Sequence, residues 1–205
     1  MAEAMLDDAP TPLDGIIGSP KCPIGGPADA GVVLAERRHL GKLVLRGDPA
    51  DRKLLGGAAK VLGVPLPVTP NTAVGEAGTT VVWTAPDEWL VITESGVEAA
   101  LADALRRALK ALHHAVTDTS DQSTVIRLSG SKARAVMAKG CAIDLHPRGF
   151  EPGSAAQSHL AKALVTFWQV DEAPRYDILV RASFAPYLWA WLTDAGLEFR
   201  VRVER

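Results

Sequence analysis

Four chemically active side chains, Cys141, Asp144, His146 and Arg148, fall together in the segment CAIDLHPRGF at residues 141–150. Cys141 offers a thiolate nucleophile and His146 an imidazole that can act as a base, which is a pairing used in nucleophilic catalysis. With Asp144 they also form a set of three side chains of types that bind zinc. The segment is therefore either a catalytic or metal site, or a turn that contains reactive side chains.

The surrounding sequence favours the turn. Cys141 follows Gly140, which is predicted to end a helix, and the negative end of a helix dipole disfavours a thiolate. Among the other imidazoles, His159 lies on the approach to a predicted strand. His113 and His114 are neighbours on a predicted strand and so point to opposite faces. No glycine-rich phosphate loop is present either. We therefore predict no catalytic, cofactor-binding or metal-binding residue in this chain.

We predict instead that this loop lies at the rim of an interface with another protein chain. Asp144 can accept backbone hydrogen bonds within a turn, and the proline after His146 restricts the backbone. Leu145 and Phe150 are apolar and can seat the loop against this domain or a neighbour. Arg148 suits a carboxylate or phosphate partner.

Composition excludes several classes of protein. The chain has 205 residues, 47% of them hydrophobic and 22% charged, as in a globular protein with a substantial core. Its net charge of −2 provides no positive field for nucleic acid. We expect no signal peptide and no membrane span, because no apolar run approaches the necessary length. With only two cysteines, the expected location is a reducing cytoplasm.

The elements that must position the loop occur twice along the chain. LVLRGD at 43–48 matches IRLSGS at 126–131, an offset of 83 residues. Each strand is followed by a predicted helix, a hairpin, a second helix and a closing strand. Each half therefore has the order βαββαβ, and we predict an α+β fold of two ferredoxin-like (split βαβ) repeats packed together.

The predicted boundaries follow from this duplication. Residues 1–30 are dense in Pro and Gly and cannot bury enough apolar surface to order themselves, so they form an extended N-terminal arm that orders on assembly. The first half covers 31–117 and the second 118–205. Within the first half, Asp48 is the predicted N-cap of a helix that stops at Gly63.

The positions of the tryptophans predict both core packing and an outward-facing side chain. Trp83 and Trp168 occupy equivalent hairpin positions in the two halves, which indicates duplicated core packing. Trp189 and Trp191 are two residues apart on a helix and therefore point about 200° apart. One of them must face away from the core, which suggests a surface for a partner chain.

Residues 116–140, which span the junction of the two halves and the start of the second, resemble the folate-binding domain of glycine-cleavage aminomethyltransferases. In that family an Asp-x-Ser precedes a strand, a glycine and a helix, as Asp118, Ser120, Gly130 and Ala133 do here. A more specific resemblance, over residues 32–195, is to the gamma subunits of heterotetrameric sarcosine oxidases. The motifs that carry it are LRGDP (45–49), PDEWL (86–90), LSGSKAR (128–134), AKGCAIDLHPRGF (138–150), AQSHLAKA (156–163) and SFAPYLWAWL (183–192).

This resemblance implies a subunit of an oxidoreductase complex that oxidatively demethylates sarcosine to glycine. Such a complex contains alpha, beta and delta subunits besides gamma. It is expected to carry FAD, FMN and NAD, to use tetrahydrofolate, and to have zinc in another subunit. The gamma subunit has the folate-binding fold without established chemistry of its own.

Two other functions remain open at this stage. One is a stand-alone folate-binding or aminomethyl-transferring protein. Aminomethyltransferases place an acidic residue on the strand after the first helix of this repeat, but the matching stretch, 152–170, contains no Asp or Glu. The other is a self-assembling ferredoxin-like module without an enzyme. We predict a structural, non-catalytic subunit whose interface residues include Leu145, His146, Arg148, Phe150, Trp189 and Trp191.

Overall fold

The computed structural model describes residues 9–76 and 78–205 and divides them between two compact units. Unit 1 contains His39–Ser120, and unit 2 contains Pro10–Arg38 together with Asp121–Arg205. The strands and α-helices of the described residues are, in chain order, β1 (Val32–Arg37), β2 (Gly41–Gly47), α1 (Arg52–Leu62), β3 (Ala73–Glu76), β4 (Thr79–Ala85), β5 (Glu88–Thr93), α2 (Glu98–Leu109), β6 (His114–Asp118), β7 (Ser123–Ser129), α3 (Ala133–Ala138), β8 (Ala155–Leu160), β9 (Ala163–Asp171), β10 (Arg175–Arg181), α4 (Ala185–Gly196) and β11 (Val201–Glu204).

Unit 1 is one antiparallel sheet with two helices on one face. Its strand order is β3-β4-β5-β2-β6, and every neighbouring pair is antiparallel. Apolar residues at helical spacing, such as Leu54 and Ala58 of α1 and Leu105 of α2, are fully buried against Leu43 and Leu45 of β2. The order β6-β2-β5-β4 is that of a ferredoxin-like repeat, with β3 added at one edge.

Unit 2 contains the second repeat with β1 inserted into its sheet and β8 added at one edge. Its sheet has the order β11-β1-β7-β10-β9-β8. Strand β1 pairs antiparallel with β7 and parallel with β11, and so lies between the first and last strands of the repeat. Its inward side chains, Val32 and Leu34, are fully buried in the same core as α3 and α4. The α+β class is confirmed, and the predicted βαββαβ elements are present in both halves, each with one additional edge strand, β3 in the first and β8 in the second.

The location of β1 differs from the predicted boundary. Residues 31–38, assigned from the sequence to the first half, belong to unit 2, and the chain enters unit 1 only at His39. The physical reason is that β1 pairs with strands about 90 and 170 residues further along the chain. Its own alternating pattern is compatible with either sheet, so only these distant partners decide its place.

The N-terminal segment 10–30 is part of unit 2. Leu13 and Cys22 are buried in the core of that unit. Gly25 exchanges two backbone hydrogen bonds of 2.8 Å with Val203 and thereby covers the outer edge of β11. Residues 10–30 therefore bury apolar side chains within their own chain, whereas their ordering on assembly stays a prediction; residues 1–8 lie outside the described residues.

The start of α1 also differs from the prediction. Asp51, three residues after the predicted Asp48, is the N-cap, and its carboxylate accepts from the N–H groups of Lys53 and Leu54. Asp48 instead accepts from the N–H of Ala50 in the preceding turn. The predicted stop at Gly63 is confirmed by a left-handed backbone with φ of 76°.

Within residues 9–76 and 78–205, no helix is both long enough and apolar enough to cross a lipid bilayer.

Candidate functional site around the loop 141–150

The loop 141–150 is anchored at its start to the end of α3 and to the edge strand β8. The Cys141 N–H donates to the Met137 carbonyl at 2.9 Å and closes the last helical turn. The Ala161 N–H donates to the Gly140 carbonyl at 2.9 Å, and Cys141 forms an isolated bridge with Leu160. Cys141 is half-buried at the negative end of a short helix, as the sequence predicted.

Asp144 and His146 organise the turn that follows. One oxygen of the Asp144 carboxylate accepts from the His146 N–H at 2.9 Å, which confirms the predicted role of this aspartate. His146 Nδ1 accepts from the Arg148 N–H at 3.2 Å. The His146 carbonyl accepts from the N–H groups of Gly149 and Phe150, both at 2.9 Å. The carboxylate and imidazole therefore form local backbone contacts, as expected of a structured turn.

Two apolar residues of the loop face their own unit. Leu145 and Phe150 are each 4% exposed and belong to the core of unit 2. The Phe150 ring lies 5.4 Å from the Phe167 ring and 6.4 Å from the Tyr176 ring, measured between centroids. These side chains have little surface left for a partner chain, so they fix the loop on unit 2.

Trp189 is also a core residue. It is 1% exposed, and its indole Nε1–H donates to the Cys22 sulfur at 3.2 Å. The predicted opposite orientation of the next tryptophan is found: Trp191 is half-buried, and its ring lies over Gly140. Among the predicted interface residues, only His146, Arg148 and Trp191 keep exposed surface, and their contact with a partner stays a prediction.

Two exposed aromatic residues that were not among the predicted interface residues lie beside Trp191. Phe184 and Tyr187 are 43% and 37% exposed and precede Trp191 by seven and four residues. The Tyr187 hydroxyl accepts from the Lys162 N–H at 3.3 Å, which places the stripe beside the β8–β9 turn. The helical spacing 184, 187 and 191 was the signal available in the sequence. We call Phe184, Tyr187 and Trp191 the aromatic stripe.

The Asp-x-Ser motif at the end of unit 1 has a structural use. One oxygen of the Asp118 carboxylate accepts from both the N–H and the hydroxyl of Ser120, at 2.9 and 2.6 Å. The Ser120 hydroxyl oxygen in turn accepts from the Lys42 N–H at 3.0 Å, and the Thr119 N–H donates to the Lys42 carbonyl at 2.8 Å. These bonds join the first and last strands of unit 1 where the chain enters and leaves it.

A separate open cleft in unit 1, of 630 Å³, is lined by both adjacent histidines, His113 and His114. Strand β6 begins at His114, so strand alternation does not separate the two rings as the sequence suggested. Arg46 lines the same cleft and is paired with Asp87 through bonds of 2.8 and 3.1 Å, so the Asp87 carboxylate balances its positive charge. Among the described residues, no three His, Cys, Asp or Glu side chains converge on a possible metal position.

Comparison with known proteins places this geometry in one family. The model of the sarcosine oxidase gamma subunit family matches residues 46–198. The gamma subunit of sarcosine oxidase from Corynebacterium sp. (strain U-96) is 37% identical over 169 residues, which cover 82% of this chain and 80% of that protein. The corresponding subunit from Arthrobacter sp. is 36% identical over 175 residues, covering 85% and 84%.

Two solved structures show the same fold. A chain of the heterotetrameric sarcosine oxidase from Corynebacterium sp. U-96, in complex with pyrrole 2-carboxylate, superposes with a TM-score of 0.83 at 33% identity, over 93% of this chain and 96% of that one. The glycine cleavage system aminomethyltransferase T from Bartonella henselae has a TM-score of 0.63 at 14% identity, over 85% of this chain and 48% of that one. The second similarity shows the fold alone.

Proposed function

This chain belongs to the sarcosine oxidase gamma subunit family, and from that premise we propose that it is a structural, non-catalytic subunit of a heterotetrameric sarcosine oxidase. The observation that carries the proposal is the use of the loop 141–150. Asp144 and His146 bind backbone groups of their own turn, and Cys141 stands at a helix C-terminus. None of the three is arranged as a nucleophile with a base beside it.

Our proposal assigns the oxidative chemistry to partner chains. The partners are alpha, beta and delta subunits, and these carry the FAD, FMN, NAD and folate sites and the zinc. This chain binds none of them, and the complex works in the cytoplasm. A strand carboxylate of the aminomethyltransferase type is missing from 152–170, which argues against the alternative of a stand-alone aminomethyl-transferring protein.

The surface that we propose for partner contact is the aromatic stripe together with His146 and Arg148. A stripe of two exposed aromatic side chains and one half-buried tryptophan is costly in water and is typical of the energetic centre of an interface. The turn fixes the backbone of Arg148, and its exposed guanidinium can form a bidentate ion pair with a carboxylate of a partner.

Co-expression with the other subunits tests this proposal. Cys141→Ala should leave turnover per assembled complex within about tenfold, since loss of an acid–base catalyst costs about 10²–10⁴-fold. Trp191→Ala with Arg148→Ala should lower the fraction of chain that elutes with the complex in gel filtration. Val97→Ala, which removes an exposed apolar side chain at the N-cap of α2, is the matched control and should assemble normally.

Either of two results would contradict the proposal. The first is a Cys141→Ala or His146→Ala complex that assembles with its flavins but turns over a thousandfold more slowly. The second is micromolar folate or flavin binding by this chain alone. Calorimetry should show no constant tighter than about 0.1 mM, equivalent to about 5.5 kcal/mol.

A further inference from the structure

A guanidinium without a carboxylate partner among the described residues, that of Arg134, lies beside Tyr176, whose ring contacts Phe150 of the loop 141–150. Arg134, on α3, is half-buried, and one of its terminal nitrogens donates to the Gln169 side-chain oxygen at a long 3.4 Å. Its Nε is shielded from solvent and has no hydrogen-bond partner. Within residues 9–76 and 78–205, no Asp or Glu forms an ion pair with this arginine. A partly desolvated charge in this state is unfavourable unless an anion accompanies it.

A second unpaired donor lies beside this guanidinium. Tyr176 is fully buried; its hydroxyl oxygen is close enough to the Arg134 guanidinium for a weak contact, but the hydroxyl forms no hydrogen bond of good geometry. Burial raises the pKa of this phenol, while the adjacent Arg134 opposes that rise, and the nearby Cys141 adds to it. The hydroxyl therefore stays protonated at neutral pH and can donate. An unpaired buried hydroxyl is destabilising, so its persistence calls for an acceptor.

The same sheet shows how such an arginine is normally satisfied. Arg127, on β7, directs its Nε and one terminal nitrogen at the two oxygens of Asp177, each at 2.7 Å. This is the bidentate geometry that a planar guanidinium forms with a carboxylate. Arg134 has the long contact with Gln169 and the weak one with the Tyr176 hydroxyl. Arg127 thus has a carboxylate partner, and among the described residues Arg134 has none.

We propose that Arg134 and Tyr176 form a binding site for a small monocarboxylate anion, closed by the loop that begins at Cys141. A single guanidinium charge balances one negative charge, whereas a doubly charged phosphate would leave an excess charge in a poorly solvated place. A carboxylate can meet the open guanidinium edge and take the tyrosine hydroxyl hydrogen bond at the same time. Phe150, packed 6.4 Å from the Tyr176 ring, forms part of the cover and limits the ligand to one of few atoms.

Formate is the simplest probe, and the full chain is the sample. In a zwitterionic buffer at pH 7, formate at ten times its dissociation constant should raise the melting temperature by about 3–6 °C relative to sodium chloride of equal ionic strength. Tyr176→Phe and Arg134→Gln should each lose most of this rise. Arg181→Gln, which removes an exposed arginine from the same strand as Tyr176, should keep it.

The stability of Tyr176→Phe relative to the unmodified chain should reverse when formate is added. Without formate, the variant should be as stable as the unmodified chain or more stable, because it removes an unpaired hydroxyl. With saturating formate it should be the less stable of the two. Binding of ¹³C-formate, followed by NMR line broadening, measures the affinity directly and should weaken at least tenfold in either site variant.

Three results would overturn the proposal. One is equal stabilisation by formate of the unmodified chain and both site variants, which would place the anion elsewhere. Another is a Tyr176→Phe chain that is less stable in every buffer with no response to formate, which would indicate a bound water as the acceptor. The third is a Tyr176→Phe chain that is more stable at every formate concentration, which would mean that the hydroxyl has no ligand.

Discussion

Replacing Leu13 with alanine tests whether the N-terminal segment belongs to the fold of the free chain. Leu13 is fully buried in the core of unit 2 although it lies in a segment without regular secondary structure. A buried Leu→Ala change costs about 2–5 kcal/mol, depending on how far the surroundings collapse into the cavity. Because a non-helical segment can adjust more readily than a helix, we expect about 3 kcal/mol.

The rest of the segment supports an effect of this size. The Thr11 hydroxyl donates to Glu36 at 2.8 Å, and Arg38 donates to Asp14 at 2.7 Å, so Leu13 is held between two polar anchors. These bonds keep the segment in place and should leave part of the cavity open in Leu13→Ala. A loss of about 3 kcal/mol corresponds to a melting temperature lower by about 6–12 °C.

Urea unfolding followed by tryptophan fluorescence is a suitable assay. Trp189 donates to Cys22 of the segment, so its emission reports whether the segment is docked. The midpoint should fall in Leu13→Ala with the slope unchanged. Ile24→Ala, in the same segment but at a side chain 48% exposed, is the control and should change stability by no more than about 0.5 kcal/mol.

The result that would refute this reasoning is an equal midpoint for Leu13→Ala and Ile24→Ala, with rapid proteolysis of residues 9–30 in the unmodified chain. The segment would then be ordered only within the complex, as its composition first suggested. Slow proteolysis in the unmodified chain and fast proteolysis in Leu13→Ala would support packing within the free chain.

Three further predictions concern unit 2. Asp177→Asn should lower the free energy of unfolding by about 2–3 kcal/mol in urea titrations, because it breaks a nearly buried ion pair; a change below about 0.5 kcal/mol would contradict this. Gly140→Ala should displace the Trp191 ring, because that ring would lie 2.6 Å from the new Cβ. The free energy of unfolding should fall by about 1–3 kcal/mol, and the tryptophan fluorescence emission should shift to the red. An unchanged emission spectrum would count against the described packing. The Arg38 guanidinium lowers the pKa of Asp14 from 3.8 to about 2. The stabilisation from this ion pair is fully present above the ordinary pKa and is lost as the pH falls from about 4 to 2. Asp14→Asn should therefore reduce the loss of unfolding free energy over this pH range, by less than about 1 kcal/mol because the pair is largely exposed. An unaltered dependence of stability on pH would mean that the pair does not form.

The sequence by itself determined the features that depend on neighbouring residues. The apolar spacing of α1 and α2 and the glycine at Gly63 define helices that any folded form of this chain would contain. The turn of the loop is equally local, because Asp144 reaches a backbone N–H only two residues away. The duplicated order of strands and helices was visible for the same reason.

The tertiary structure alone decided which of these pieces meet. The alternation of β1 is satisfied by any half-buried sheet position, and its place between β7 and β11 depends on partners far along the chain. Arg134 and Tyr176 are 42 residues apart in sequence, and neither differs in type from an ordinary surface arginine or core tyrosine. They become neighbours because α3 and β10 share the core of unit 2, while the carboxylate that satisfies Arg127 is out of hydrogen-bonding reach of Arg134. Such a difference between two similar arginines arises from distances in space, which residue type and spacing do not encode.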